Sequence, residues 1–369
     1  MTPKEPHRIL VRMPNWVGDL VMALPALEAL RENFPRSTLV ALARPWVTPL
    51  LGNHPCVDRV TVLHKGRGYP WDGIAVLKTV AEVRRTRFDL ALLFQNAFEA
   101  ALISRLAGIP VRIGYDTDGR GFLLSHPIPR EREVLRRHQV EYYLHLIRAM
   151  GWKAEARDPR LHVSDRQRAA AESLLRAFGI TDADLLVGLS PGAAYGPAKR
   201  WPAERFAAVG DRAAETWGAK VLVVGSGGEK EICDAVTLAM RTPAVNLCGR
   251  TNLDEVVGVI ERCRAFVTND SGLMHVAAAL DVPLVAIFGS TDPEATGPRS
   301  SRARVIRQPM GCAPCLKPEC SRGYACLRSI EPEEVWREIE ALDSYGSNVR
   351  ISFSLSPGAS MRSRVPPEH

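Results

Sequence analysis

The sequence predicts an α/β chain built as two doubly wound parallel-sheet halves in tandem, on three observations. Its 369 residues exceed the size at which a single hydrophobic core keeps growing, so two domains are the expected solution. Apolar runs of strand length alternate with helical periodicity along the chain, the pattern of parallel strands covered by helices on both faces. The pattern also halts near the middle of the chain and starts again.

In the first half, residues 8–13 read as a strand. Leu20, Leu24, Leu27, Leu30 and Phe34 then recur at helical spacing until Pro35 stops the helix. Further strands are expected at 38–42, 59–63, 88–94 and 111–115, with helices at 74–87 and 97–107 between them. A helical stretch at 133–150 and a charged, proline-containing segment around 154–159 close this half. Strands resume at 185–190, 221–224, 244–247, 265–268 and 284–288, again alternating with helices. The boundary therefore falls between about 160 and 183, which gives an N-terminal domain of residues 1–165 and a C-terminal domain of residues 184–343. Residues 344–369, rich in Ser, Arg and Pro, are expected to form a disordered tail. Each half should present ligands beyond the carboxyl ends of its strands, and a cleft between the halves is the natural active site.

With 46% hydrophobic and 24% charged residues, the composition is that of a soluble globular protein. The N-terminus shows no apolar signal region, and the apolar runs fall far below the roughly 20 residues of a membrane-spanning helix. A cytoplasmic protein with reduced cysteines is expected. The net charge of +7 favours an anionic partner: nucleic acid, membrane surface or phosphorylated substrate. Nucleic acid is disfavoured, because zinc-finger spacing, RNP-type aromatics and a helix-turn-helix are all missing.

Four strand-end loops carry unusual residues. Pro14-Asn15-Trp16-Val17-Gly18-Asp19 places a carboxylate at a helix start, where it either complements the helix dipole or serves as a catalytic base. SPGAAYGPAKRWP, residues 190–202, combines Gly192, which permits close backbone approach, with Lys199 before a helix N-terminus. That combination suits a diphosphate, although an ordinary surface loop reads similarly. In Gly225-Ser226-Gly227-Gly228-Glu229 the carboxylate either binds a ribose or caps the next helix. In Asn269-Asp270-Ser271-Gly272-Leu273-Met274-His275, Ser271 and the following N–H groups suit a phosphate, with Asp270 beside the sugar; the alternative is a capped helix with His275 packed in the core. Asp116-Thr117-Asp118 spells a metal-binding DxD but lies in a turn-rich stretch. Cys312, Cys315, Cys320 and Cys326 offer a structural metal site, against which stand the irregular spacing of the second pair and the simpler reading as free thiols.

NWVGDLVMALPALEAL, PGAAYGPAKRWP and TNDSGLMHVAAAL resemble hallmark segments of the bacterial ADP-heptose:lipopolysaccharide heptosyltransferase II family, within glycosyltransferase family 9. GSGGEKE, QNAFEAAL and RIGYDTDGRGFLL lie where that family has similar segments, and the resemblance runs in order over residues 8–342. It implies a GT-B fold of two Rossmann-like domains facing a central cleft. It also implies inverting transfer of heptose from ADP-heptose to the first heptose of heptosyl-Kdo2-lipid A, with no cofactor and no catalytic metal. Asp19 matches the general base. The implied donor-binding set is Gly192, Lys199, Glu229, Asp270, Ser271, Gly272 and His275, and the implied acceptor-binding set is Asn15, Trp16, Asn96 and Arg120. The implied partners are ADP-heptose, an anionic lipid A-core acceptor and peripheral contact with the cytoplasmic face of the inner membrane, with no nucleic acid. The alternatives are a heptosyltransferase of the same family with another acceptor position, or a non-catalytic nucleotide-binding protein on the same fold.

Overall fold

The computed structural model describes residues 5–63 and 71–350. Its first sheet joins β1 (Arg8–Arg12), β2 (Thr38–Ala43), β3 (Arg59–Val62), β4 (Leu90–Leu93), β5 (Val111–Tyr115) and β6 (His126–Ile128), in the order β3-β2-β1-β4-β5-β6. The associated helices are α1 (Val17–Asn33), α2 (Trp71–Thr86), α3 (Phe98–Leu106), α4 (Arg132–Arg136) and α5 (Gln139–Arg148). After α6 (Asp165–Ala177) comes the second sheet: β7 (Leu186–Ser190), β8 (Lys220–Val223), β9 (Ala244–Asn246), β10 (Ala265–Asn269), β11 (Leu284–Ile287) and β12 (Ala303–Ile306), ordered β12-β11-β10-β7-β8-β9. Its helices are α7 (Ala203–Trp217), α8 (Lys230–Ala239), α9 (Leu253–Arg262), α10 (Gly272–Ala279), the short α11 (Pro293–Thr296) and α12 (Ala325–Arg328), and α13 (Pro332–Arg350).

Every strand pairing is parallel. Renumbered from its own first strand and read from the other end, the second sheet repeats the order of the first, so the expected doubly wound α/β architecture is present twice. The central strands β1, β4, β7, β10 and β11 are near-continuous apolar runs, as strands covered on both faces must be.

Sequence and structure part at four places. The edge strands β6 and β12 were not expected; their sequences, HPI and ARVI, form no apolar run. The helix expected over 133–150 is broken in two at Arg137 and His138, with His138 Nδ1 accepting from Val140 N to start α5. The boundary segment contains α6, begun by a capping box between Ser164 and Gln167. Finally, α13 runs to Arg350, so the expected tail opens in a helix; its remainder, 351–369, lies outside the described residues.

Helix α1 is apolar nearly all round, and such a helix is stable only when covered on every side. It packs on α5 and also on α10 of the second half. A buried cluster accordingly continues from β1 and α1 through α5 into α6, α9 and α10. Gln167 joins the halves in polar fashion, its buried amide donating to Pro49 O at 3.1 Å and to Asp254 Oδ1 at 2.9 Å.

Candidate active site

Because all strands of each sheet run parallel, the loops after β1, β4 and β5 gather at one end of the first sheet, and those after β7, β8, β10 and β11 at one end of the second. The two ends meet where α1 and α10 begin. A Cβ on Gly18 would lie 2.8 Å from the His275 ring, and one on Gly272 would lie 3.0 Å from Val17 Cβ, so the two helix N-termini approach through glycines.

Asp19 sits in the first turn of α1. It does not cap the helix: Trp16 occupies the N-cap position, and no described residue donates a hydrogen bond to the Asp19 carboxylate. Burial raises its pKa to about 6, against the opposing pull of the Lys199 charge from the other half. A carboxylate desolvated yet still ionised near neutral pH is suited to accept a proton.

Opposite it, Lys199 Nζ lies 2.5 Å from Asp270 Oδ2 and 4.9 Å from the centre of the Tyr195 ring. The same Asp270 oxygen accepts from Thr291 Oγ1 at 2.6 Å, so the lysine is held by a carboxylate that is itself fixed. Ser271 is the N-cap of α10, but its hydroxyl contacts Thr268 Oγ1 at 3.2 Å and caps no N–H. The first N–H groups of α10 therefore remain available to an anion. Asn269 ties the donor-side loops together, accepting from Trp201 N at 3.0 Å and donating to Pro191 O at 2.7 Å. Nearby, the Ser290 hydroxyl is buried with no partner among the described residues.

Glu229 forms a capping box with Ser226, its Oε2 accepting from Ser226 N and Oγ at 2.8 Å each. Its other oxygen backs onto Gly192, where a Cβ would lie 2.2 Å from it, so this close approach requires a glycine. Its capping role is thus present in the structure, beside the loop it was expected to serve. His275 is buried and its pKa lowered to about 4, chiefly by burial, which keeps the ring neutral where it packs against Gly18.

On the first half, Trp16 is 68% exposed at the mouth of the site. Asn15 accepts from Arg12 Nη2 at 2.7 Å with its side chain and from Trp46 Nε1 at 2.8 Å with its carbonyl. Arg120 corrects the expectation that it grips an anionic acceptor. It is fully buried, and its guanidinium donates to Tyr115 O, Gln95 O, Ala97 O and Asn96 Oδ1. Asn96 is engaged in turn, donating to Tyr142 Oη at 2.6 Å. Arg120 and Asn96 therefore shape the loop after β4 from beneath.

The cysteine segment offered two readings, free thiols as the simpler and a structural metal site as the other. All four cysteines are free, and among the described residues no three His, Cys, Asp or Glu side chains are gathered to hold a metal ion. Their segment instead braces the Lys199 loop: Pro318 O accepts from Ala198 N at 2.9 Å and Leu316 O from Tyr195 Oη at 2.6 Å. Asp116 of the DxD is wedged against Gly121. Thr291 and Asn269 escaped the sequence reading as site residues, though both stand at carboxyl ends of strands, where ligand contacts are expected.

A family model described as glycosyltransferase family 9 (heptosyltransferase) matches residues 76–325. Lipopolysaccharide heptosyltransferase 2 of Escherichia coli K12 is 35% identical over 347 residues, covering 91% of this chain and 98% of that protein. Lipooligosaccharide heptosyltransferase 2 of Haemophilus ducreyi is 31% identical, covering 91% and 99%. Among solved structures, the E. coli ADP-heptose lps heptosyltransferase II aligns with a TM-score of 0.80 at 32% identity, over 92% of this chain and 99% of that one. A family 9 glycosyltransferase from Veillonella parvula aligns with a TM-score of 0.82 at 25% identity, over 94% and 99%.

Proposed function

The chain belongs to glycosyltransferase family 9, and from that premise we propose that it transfers L-glycero-D-manno-heptose from ADP-heptose to the first heptose of heptosyl-Kdo2-lipid A. The type 2 enzymes of E. coli and H. ducreyi are 35% and 31% identical, whereas the heptosyltransferase 1 of Pseudomonas aeruginosa is 25% identical, which favours the second inner-core heptose over the first. In this reading residues 1–165 bind the acceptor and residues 184–343 bind ADP-heptose.

The observation that carries the proposal is the arrangement at the junction of the two sheets, where the desolvated Asp19 carboxylate of the first half lies within electrostatic reach of Lys199, which Asp270 of the second half holds. The acceptor hydroxyl oxygen attacks the anomeric carbon from the face opposite the diphosphate. The bond to the leaving phosphate oxygen breaks with its electron pair, and the hydroxyl proton passes to Asp19. One displacement inverts the anomeric centre and needs a single base. The charge left on ADP is met by Lys199 and the N-terminus of α10, which do the work a divalent ion does in metal-dependent enzymes. Asp270, itself held by the Thr291 hydroxyl, positions the lysine; Gly192 leaves room for the Glu229 carboxylate behind the loop, and the unpartnered Ser290 hydroxyl is a further donor near the ligand. Asn15 and Trp16 flank the acceptor. The protein works in the cytoplasm; among the described residues no helix is long and apolar enough to cross a membrane.

The test is an assay of ADP release and heptose incorporation with purified protein, ADP-heptose and defined acceptors. Transfer to heptosyl-Kdo2-lipid A with inversion, undiminished by chelators, is expected. Absence of turnover on that acceptor, or turnover only on one lacking the first heptose, overturns the assignment.

A further inference from the structure

One contact between the halves takes no part in the chemistry above and yet leads to both of its ends. His138, at the break between α4 and α5, gives its two ring nitrogens to different partners. Nδ1 accepts from Val140 N at 3.1 Å within its own helix, and Nε2 lies 2.9 Å from Gly297 O in the second half. With Nδ1 accepting, the ring proton sits on Nε2 and is donated to that carbonyl. Gly297 is buried, so its carbonyl needs a donor, and the donor comes from the other half. Two residues further on, Arg299 reaches the same helix and the boundary segment, its Nη2 3.7 Å from Glu141 Oε1 and its Nε 3.5 Å from Asp158 Oδ1.

Each side of this contact runs to one end of the site. Gly297 closes the single turn of α11, its N–H donating to Pro293 O at 2.7 Å, and a Cβ there would lie 2.5 Å from that oxygen. Asp292 caps the turn at its start. The turn is thus a short, closed link from Gly297 back to Thr291, whose hydroxyl holds Asp270 and through it Lys199. On the other side, α5 packs on α1, and the Asp19 charge, after burial, raises the pKa of Tyr143 on α5. Helix α5 is therefore a neighbour of the base, and its N-cap grips the link that fixes the leaving-group cation. We propose that His138 is a positioning residue: by donating to Gly297 O it latches the loop after β11 to α5 and so sets where the Lys199 loop stands relative to Asp19. As a kinetic effect this rests on the transfer proposed above, while the contact itself can be read without substrate.

Substitution separates the two ring nitrogens. His138→Asn keeps an acceptor for Val140 N and is a good N-cap, but is too short to reach Gly297 O. His138→Gln carries an amide N–H near the Nε2 position and gives up the cap. In the Asn variant kcat should fall on the order of 10–10²-fold. Its ADP affinity should stay near that of wild type, because Lys199, Asp270 and α10 all belong to the second half. The Gln variant should recover most of the lost kcat although its thermal midpoint is the lower of the two. Amide exchange over residues 292–299, followed without substrate, should be faster in the Asn variant than in wild type or the Gln variant. Wild-type turnover in the Asn variant overturns the proposal. So does the reverse order, with the Gln variant slow and the Asn variant normal, which would leave His138 a helix cap. A kcat loss in the Asn variant that follows a lowered thermal midpoint and is not recovered by Gln overturns it as well. If amide exchange responds as expected and the wild type transfers heptose to no acceptor, it is the assigned reaction that fails and the latch stands.

Discussion

The two sheets share one wiring order and present opposite chemistry at corresponding ends. Beyond the first strand of the first sheet stands Asp19, desolvated and without a hydrogen-bond donor. Beyond the first strand of the second stand Gly192 and Lys199, backed by Asp270, Glu229 and exposed N–H groups. In the proposed reaction the first end takes the proton and the second meets the charge left on ADP. The strand order fixes where a ligand binds, while the residues at the strand ends fix which ligand it is.

The sharpest way to break this comparison is to remove the charge from the first end. Asp19→Asn keeps the shape but cannot take the proton, so turnover should fall by about 10²–10⁴-fold with ADP affinity nearly intact. Near-wild-type turnover would take Asp19 out of the mechanism. The second end is tested by Lys199→Ala, expected to cost on the order of 2–4 kcal/mol in kcat/KM. That variant also carries a diagnostic that links the two ends. Lys199 lowers the Asp19 pKa, so its loss should move the acid limb of the pH–rate profile, expected near pH 6 in wild type, to higher pH. An unmoved limb would mean that the two groups do not communicate.

Arg120→Ala tests the scaffold beneath the loop after β4. The truncation strands carbonyls of Tyr115, Gln95 and Ala97, so a stability loss of about 2–4 kcal/mol is expected. The acceptor KM should rise and ADP affinity stay unchanged. A large acceptor effect with no change in thermal midpoint would restore a direct anion contact.

The smallest effect is a pH dependence of stability in which the two ends oppose each other. The Asp19 carboxyl, raised from 3.8 to about 6, binds its proton better in the folded chain, so between those values this group adds stability as the pH falls. His275, lowered from 6.5 to about 4, binds its proton better in the unfolded chain, so it removes stability as the pH falls through that window. Between pH 4 and 6 the two partly cancel. Asp19→Asn should therefore lose thermal midpoint more steeply than wild type on acidification, and should be no less stable than wild type at pH 8. A parallel pair of melting curves against pH would show that Asp19 is not desolvated as described.

Much of this was legible in the sequence. Ten of the twelve described strands and the positions of the four strand-end loops could be read because apolar-run signals are strong where both faces of a strand are covered, and because Gly, Lys and Asp are conspicuous at strand ends. Arg120 was misread for a physical reason. An arginine in a turn-rich segment looks solvated, and only the fold shows that several carbonyls converge on its guanidinium. Asn96 was hidden in the same way, its amide divided between Arg120 and Tyr142. The cysteine segment is held against the Lys199 loop through its carbonyls, at Leu316 and Pro318, contacts that the spacing of its thiols does not announce.

The meeting of α1 and α10 has a mechanical consequence. A Cβ at position 18 would meet the His275 ring at 2.8 Å and one at position 272 would meet Val17 Cβ at 3.0 Å, so the gap between the helices has no room for a side chain on either glycine. Glycine at both positions therefore sets how near the two helix N-termini stand, as a mechanical stop would. Asp19, one residue beyond the stop, is gauged against the donor loops in the way a tool is set against a shoulder. A single methyl group added at position 18 would act as a shim, pressing on the His275 ring and through it on the start of α10.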